Sequence, residues 1–279
     1  MVGCTSASAD MRPYAVLLVV YACASAGDAA SKPAAGGTVF VDDFESGTLA
    51  AWPDGVDPTR QRVVMGTEAQ SGTHYLEVTY PAGGDGGWLT RFFMPGYDSL
   101  YVSYYVRFPA DWVGGTKLIG LFGARTDNQW SASGKAGVCP QGTDFFIAMV
   151  VTEPTGNPGP ARFFTYYPTM TREPDGVTCW GRYGDGSETY VDTVALRRGI
   201  WHHIEFMVKL NTPAKSDGSQ QLWIDGVQRG SWFGLAFRSS AVLRLNAVQL
   251  TFNRGISGGP TLQKLWVDNL SVAESRPAH

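Results

Sequence analysis

Leu100-Tyr101-Val102-Ser103-Tyr104-Tyr105-Val106-Arg107-Phe108 alternates: its even positions are apolar, and its odd positions include Ser103 and Arg107. Side chains along a strand point to opposite faces in turn, so a period of two marks an extended chain with one face buried. His202-His203-Ile204-Glu205-Phe206-Met207-Val208-Lys209-Leu210 repeats the pattern, with Ile204, Phe206, Val208 and Leu210 on one side. Antiparallel sheets with one covered face read this way. Outward from these two stretches, short runs of strand character recur at 39–44, 61–66, 74–80, 87–93, 116–122, 144–152, 161–167, 188–194, 220–225, 241–253 and 262–273. Gly, Pro and Asp punctuate them, and no segment sustains a 3.6-residue period. The expected fold is all-β, a β-jelly roll sandwich of two antiparallel sheets. No repeat or second-domain boundary is visible. The first run and the last, Leu265 to Val272, are expected to pair and close a single domain over residues 38–275.

Composition agrees. The chain has 279 residues, 44% hydrophobic, 17% charged and 13% aromatic, with 34 glycines. A helical bundle would need more Glu, Lys, Leu and Ala. The formal net charge of -3 is not that of a polyphosphate binder, so no nucleic-acid partner is expected. An acidic polysaccharide would have to be met by a local basic patch. Met11-Arg12-Pro13, an apolar run from Tyr14 to Cys23 and Ala24-Ser25-Ala26 read as a secretory signal over residues 1–26, followed by a small-residue linker, 27–37. That run is too short for a mature membrane span. The expected location is secreted or cell-surface; Val20-Tyr21-Ala22-Cys23 offers the alternative of a lipoprotein anchored through Cys23.

Cys4 and Cys23 fall in the leader, leaving Cys139 and Cys179. In an exported chain such a pair reads as a disulfide, with two buried thiols as the alternative. The two lie in the least regular stretches, 123–143 and 168–187, and long loops in a compact domain tend to carry function.

Three segments are familiar together. They are Val39-Phe40-Val41-Asp42-Asp43-Phe44-Glu45-Ser46-Gly47; Gly115-Thr116-Lys117-Leu118-Ile119-Gly120-Leu121-Phe122-Gly123; and Trp201-His202-His203-Ile204-Glu205 running to Lys209-Leu210-Asn211-Thr212-Pro213, Asp217-Gly218 and Leu222-Trp223-Ile224-Asp225-Gly226. With the closing Trp266-Val267-Asp268-Asn269-Leu270, their order resembles concanavalin A-like jelly-roll proteins, and among them polysaccharide lyase family 14, the alginate and glucuronate lyases. The resemblance covers most of residues 39–273. It implies β-elimination at a uronate, which needs a cation to neutralise the carboxylate, a base for the α-proton and an acid for the leaving oxygen. The family's strand lysine maps onto Lys117, and the kept tyrosine of its Tyr-x-Tyr onto Tyr166, with Tyr167 beside it. Its Ser-x-Arg element falls near Thr143–Phe146, where Thr-Asp-Phe-Phe carries no arginine; Arg125 or Arg162 would supply that cation. Ile119 replaces the usual proline.

The expected catalytic set is therefore Lys117, Tyr166, Arg162 and His203. Each has a plainer alternative: an edge lysine, a core aromatic, a snorkelling arginine and a structural histidine. Arg125, Tyr167, Trp130, Trp180, Gln249 and Asn253 are the expected substrate contacts. Indoles stack on sugars, but could equally pack around a disulfide; Gln249 and Asn253 share a polar strand face that could equally meet solvent. Glu45 and Asp268, on the first and last strands, are candidate ligands of a structural Ca²⁺, or else surface carboxylates. No cofactor is expected for catalysis. No nucleophile elbow, zincin motif, P-loop or close carboxylate pair is present. The leading reading is a secreted lyase acting as a monomer on an acidic extracellular polysaccharide. The alternatives are a non-catalytic carbohydrate-binding jelly roll and, further off, a glycoside hydrolase.

Overall fold

Alternating sequence becomes strand throughout. A computed structural model describes residues 37–153, 156–181, 190–254, 259 and 261–277, with the backbone alone for 190–194. The expected leader, most of the linker, and Cys4 and Cys23 lie outside the described residues. Among these, fourteen strands form: β1 (Thr38–Asp42), β2 (Gln61–Met65), β3 (His74–Tyr80), β4 (Gly87–Tyr97), β5 (Ser99–Arg107), β6 (Lys117–Arg125), β7 (Phe146–Thr152), β8 (Pro160–Tyr166), β9 (Tyr190–Ala195), β10 (Trp201–Lys209), β11 (Gly218–Ile224), β12 (Val227–Leu235), β13 (Leu243–Phe252) and β14 (Gln263–Ala273). One sheet runs β12-β11-β10-β5-β14-β3-β2, and β1 joins it along β14; the other runs β4-β13-β6-β7-β8-β9. Neighbours are antiparallel, as in the β5–β10 pair, where Val102 faces Phe206 and Tyr104 faces Ile204.

The period of two becomes the core. Leu100, Val102, Tyr104 and Val106 of β5, with Ile204, Phe206 and Val208 of β10, are fully buried. Phe163 of β8 reaches across from the other sheet to meet Phe206, ring centroids 6.0 Å apart and edge to face. Edge-to-face contact adds to the area term of aromatic burial. A polar link also crosses the sandwich: Thr165 Oγ1 donates to Gln220 Oε1 at 2.9 Å. Long β14 closes the domain. Its first half pairs with β3, Gln263 opposite Tyr80, and its second half with β1, Asp42 opposite Leu270.

One strand is absent from the sequence reading. β12 follows a hairpin turn at Asp225 (φ 53°) and Gly226 (φ 77°), the two positive-φ positions of a type I′ turn. Its own sequence hides it. Gly230 and Gly234 interrupt the alternation, and Phe233 stands 70% exposed on this sheet-edge strand.

Candidate active site

A cleft of about 400 Å³ opens on the six-stranded sheet, on the face turned away from the core. On β13, Val248, Leu250 and Phe252 point inward and are fully buried, while Gln249 and Thr251 alternate into the cleft, followed by Asn253. On β8, Phe163 and Thr165 face the core, and Phe164 and Tyr166 line the cleft. Trp88 enters from β4, Ile147 and Met149 from β7, and Trp130 and Lys135 from the loop after β6.

Lys117 reaches this face through a β-bulge. Lys117 and Phe122 both line the cleft, yet strict alternation sends residues five apart to opposite faces. The register resolves the conflict: Lys117 opposes Val151 and Gly120 opposes Met149, so three steps on β6 span two on β7. The extra residue re-aims one side chain, as bulges do beside functional sites. Gly120 keeps the floor beside it open, since a Cβ there would run into Met149.

The Lys117 ammonium sits 5.0 Å from the Phe164 ring centroid, an attractive placement of a cation over a ring. Burial pulls its pKa below an ordinary lysine's. Among the described residues no carboxylate pairs with it. Phe164 in turn meets the Tyr166 ring edge to face at 5.4 Å, so one ring couples the lysine to the tyrosine. Burial pushes the Tyr166 phenol up, and the backbone amides of Gly137 and Gly181 oppose that rise.

Those amides come from the two irregular loops, which the Cys139–Cys179 disulfide joins with Cα atoms 5.0 Å apart. Cys179 N–H donates to Gly137 O at 3.0 Å in the same seam. Glycine is required at 181 by close approach: a Cβ would collide with the Phe164 ring.

The floor is a polar ladder. Gln249 Nε2 donates to Thr90 Oγ1 and Thr251 Oγ1 donates to Gln249 Oε1, each at 2.8 Å. Asn253 Nδ2 donates to Asp85 Oδ2 at 2.9 Å, and Arg60 pairs with that carboxylate at 2.6 Å.

A family model described as polysaccharide lyase 14 matches residues 68–258. The chain belongs to the polysaccharide lyase 14 family. Solved structures of similar fold include an alginate lyase of Aplysia kurodai (TM-score 0.60, 18% identity, 79% of this chain and 89% of that one). An alginate lyase of a Chlorella virus gives 0.61 at 14% identity over 86% and 100%. An endo-β-1,4-glucuronan lyase of the fungus Trichoderma reesei gives 0.56 at 16% identity over 85% and 96%. At such identities these likenesses show the fold. No curated protein sequence matches the chain.

In this polysaccharide lyase, Lys117, Tyr166, Trp130, Gln249 and Asn253 meet in the cleft. The other expected site residues do not line it. His203 lies on the opposite sheet, stacked on Tyr105 at 4.5 Å and 2.7 Å from Ser103 Oγ. The reason is its parity on β10, where His202 takes the inward position and His203 the outward one. Arg162 shares the strand face of Phe164, but its guanidinium pairs with Glu153. Arg125 forks onto Asp127 at 2.8 and 2.7 Å. Neither arginine lines the cleft; among the described residues that do, Lys135 is the other cation. Tyr167 is buried in the core, and Trp180 packs near Gly137 outside the cleft. Asp54, Asp85, Trp88, Met149 and Lys135 line it unforeseen. Trp88 alone left a trace, an aromatic on the polar side of an alternating run.

Glu45 and Asp268 form a clasp of hydrogen bonds. Glu45 Oε1 accepts from Thr73 N and His74 N, each at 2.8 Å, and Oε2 from Thr73 Oγ1 at 3.0 Å; its pKa falls to about 2. Asp268 Oδ2 accepts from Gln70 N at 2.8 Å and Oδ1 from Asn269 N at 2.8 Å, while burial pushes its pKa up to about 6. Calcium needs a shell of free oxygens. These are committed to N–H and O–H donors, and no cluster of three or more potential side-chain ligands forms among the described residues.

Proposed function

We propose that this lyase cleaves a uronate-containing polysaccharide, of the alginate or glucuronan kind, by β-elimination in the cleft of the six-stranded sheet. The observation that carries the reading is the Lys117 ammonium, half-buried in the same cleft as Tyr166 with no carboxylate paired to it among the described residues. A desolvated, uncompensated cation is costly, and a substrate carboxylate would relieve that cost. With the carboxylate neutralised, the C5 proton of the uronate becomes acidic. Tyr166 as phenolate takes that proton. The C5–H electrons form the C4=C5 double bond, and the C4–O bond breaks. Tyr166 returns its proton to the departing glycosidic oxygen, so its own proton count is unchanged. The Gly137 and Gly181 amides favour the phenolate, and Lys117 stabilises the enolate-like intermediate. No other group has to supply a proton.

Action outside the cell is part of this proposal. The Cys139–Cys179 bridge supports it, because such bonds persist in oxidising compartments. The test is incubation with alginate and glucuronan, followed by ultraviolet absorbance of the unsaturated product. Release of that chromophore is expected from at least one uronan. Binding without chromophore on every uronan tested would leave a carbohydrate-binding protein instead.

A further inference from the structure

We propose that the cleft takes a polysaccharide in which uronates are interspersed with neutral sugars, the neutral unit resting on Trp88 and Asp54. The inference rests on the lyase reading and adds which polymer fits.

The cleft is not uniformly basic. Asp54 lines it together with Lys117. Its Oδ2 accepts from Trp88 Nε1 at 3.3 Å, and no cation pairs with it among the described residues. Asp85, the other acid among the described lining residues, is matched by Arg60. Trp88 is 50% exposed beside Asp54. An open indole face stacks on the C–H face of a sugar ring, and a carboxylate edge accepts from its hydroxyls. That pairing suits a neutral sugar. A uronate in the same place would set its carboxylate against Asp54, a repulsive element of the kind that builds specificity.

The two ends of the cleft serve different sugar units. Asp54 bridges to Thr90 on β4, and β4, β13 and β6 lie side by side. Three strand spacings, roughly 14 Å, separate Asp54 from the strand of Lys117, which is longer than one pyranose. A homopolyuronate extended along the cleft meets Lys117 with one carboxylate and Asp54 with another. A mixed polymer keeps the first contact and avoids the second.

The test compares glucuronan with the same glucuronan after half its carboxylates are reduced to primary alcohols. Binding is read by affinity electrophoresis and cleavage by kcat/KM per remaining uronate. The full chain is expected to bind and cleave the half-reduced polymer better. Asp54→Asn is expected to erase that preference, improving kcat/KM on the fully charged polymer roughly tenfold. Trp88→Ala is expected to weaken binding of the half-reduced polymer. A wild-type preference for the fully charged polymer overturns the proposal, as does an unchanged ratio in a folded Asp54→Asn. If neither polymer yields the chromophore, the binding ratio still decides this proposal, while the lyase reading fails only if alginate is silent as well. If Asp54→Asn does not fold, the wild-type ratio decides alone.

Discussion

Lys117 is the residue on which chemistry and stability conflict. Its ammonium is held in a cleft of aromatic and aliphatic side chains, and burial lowers its pKa from 10.5. A half-buried cation that no carboxylate compensates costs stability whenever it is charged. Replacing it with methionine keeps the stem and removes the charge. Lys117→Met is expected to abolish chromophore release, a loss of about a hundredfold or more if the cation stabilises the intermediate. The same change should stabilise the fold by ~1 kcal/mol at neutral pH, the usual trade at functional sites; thermal denaturation reads it. The sign of the pH effect follows from the direction of the shift. Below the folded pKa the lysine is charged in both states and the burial cost is present in full. Between that pKa and 10.5 the folded lysine sheds its proton first, so stability gains from Lys117 as pH rises. The advantage of Lys117→Met should therefore shrink across that window. Activity needs the Tyr166 phenolate together with the Lys117 ammonium; with Tyr166 raised and Lys117 lowered, the wild-type pH–rate profile should rise until Lys117 begins to deprotonate and then level off. An arginine keeps its charge there. Lys117→Arg should keep rising with pH where the wild type levels off; an identical levelling in the variant would remove Lys117 from the site.

At the scale of elements, two loops and a bulge assemble what the strands alone do not. β8 carries Phe164 and Tyr166 into the cleft by simple alternation. The amides beside Tyr166 come from loops that no strand ladder fixes, and the Cys139–Cys179 bridge, 40 residues apart in sequence, joins them. A cross-link closing a loop of this length contributes about 2–4 kcal/mol, chiefly by constraining the unfolded chain. Replacing both cysteines with alanine should lower stability by about that amount, read by urea denaturation. The informative effect is on rate. If the bridge positions Gly137 and Gly181, kcat should fall and the rising limb attributed to Tyr166 should move to higher pH, at temperatures where the variant remains folded. A purely structural bridge would lower the Tm and leave that limb in place.

For the whole molecule, closure depends on the seam where β1 and β3 share β14. Glu45 and Asp268 tie the adjoining turns by hydrogen bonds to backbone N–H groups, which satisfies donors that would otherwise be orphaned. Chelation with EDTA is expected to leave the Tm unchanged, and added calcium is expected not to raise it. A rise with calcium would show binding to the folded state by mass action and return the pair to the role of metal ligands.

The all-β jelly roll is legible in the alternation at 100–108 and 202–210, because one buried face imposes a period of two that needs no knowledge of partners. Lys117, Tyr166, Gln249 and Asn253 are legible as well, through motif or strand face. β12 is not, since an exposed edge strand relaxes the pattern that would reveal it. Nor are the true places of His203, Arg162 and Arg125: parity turns the first to the other sheet's outer face, and nearby carboxylates claim the two arginines. Asp54 and Trp88, 34 residues apart, meet only when β4 is laid against the preceding turn. The bulge in β6 shows most directly what folding adds. Lys117 and Phe122 stand five apart, and strict alternation would place them on opposite faces; one extra residue, accommodated only when β6 pairs with β7, turns the lysine into the cleft. Local periodicity follows from the chain's own stereochemistry, whereas register and the choice of ionic partners are decided by which strands and loops lie alongside.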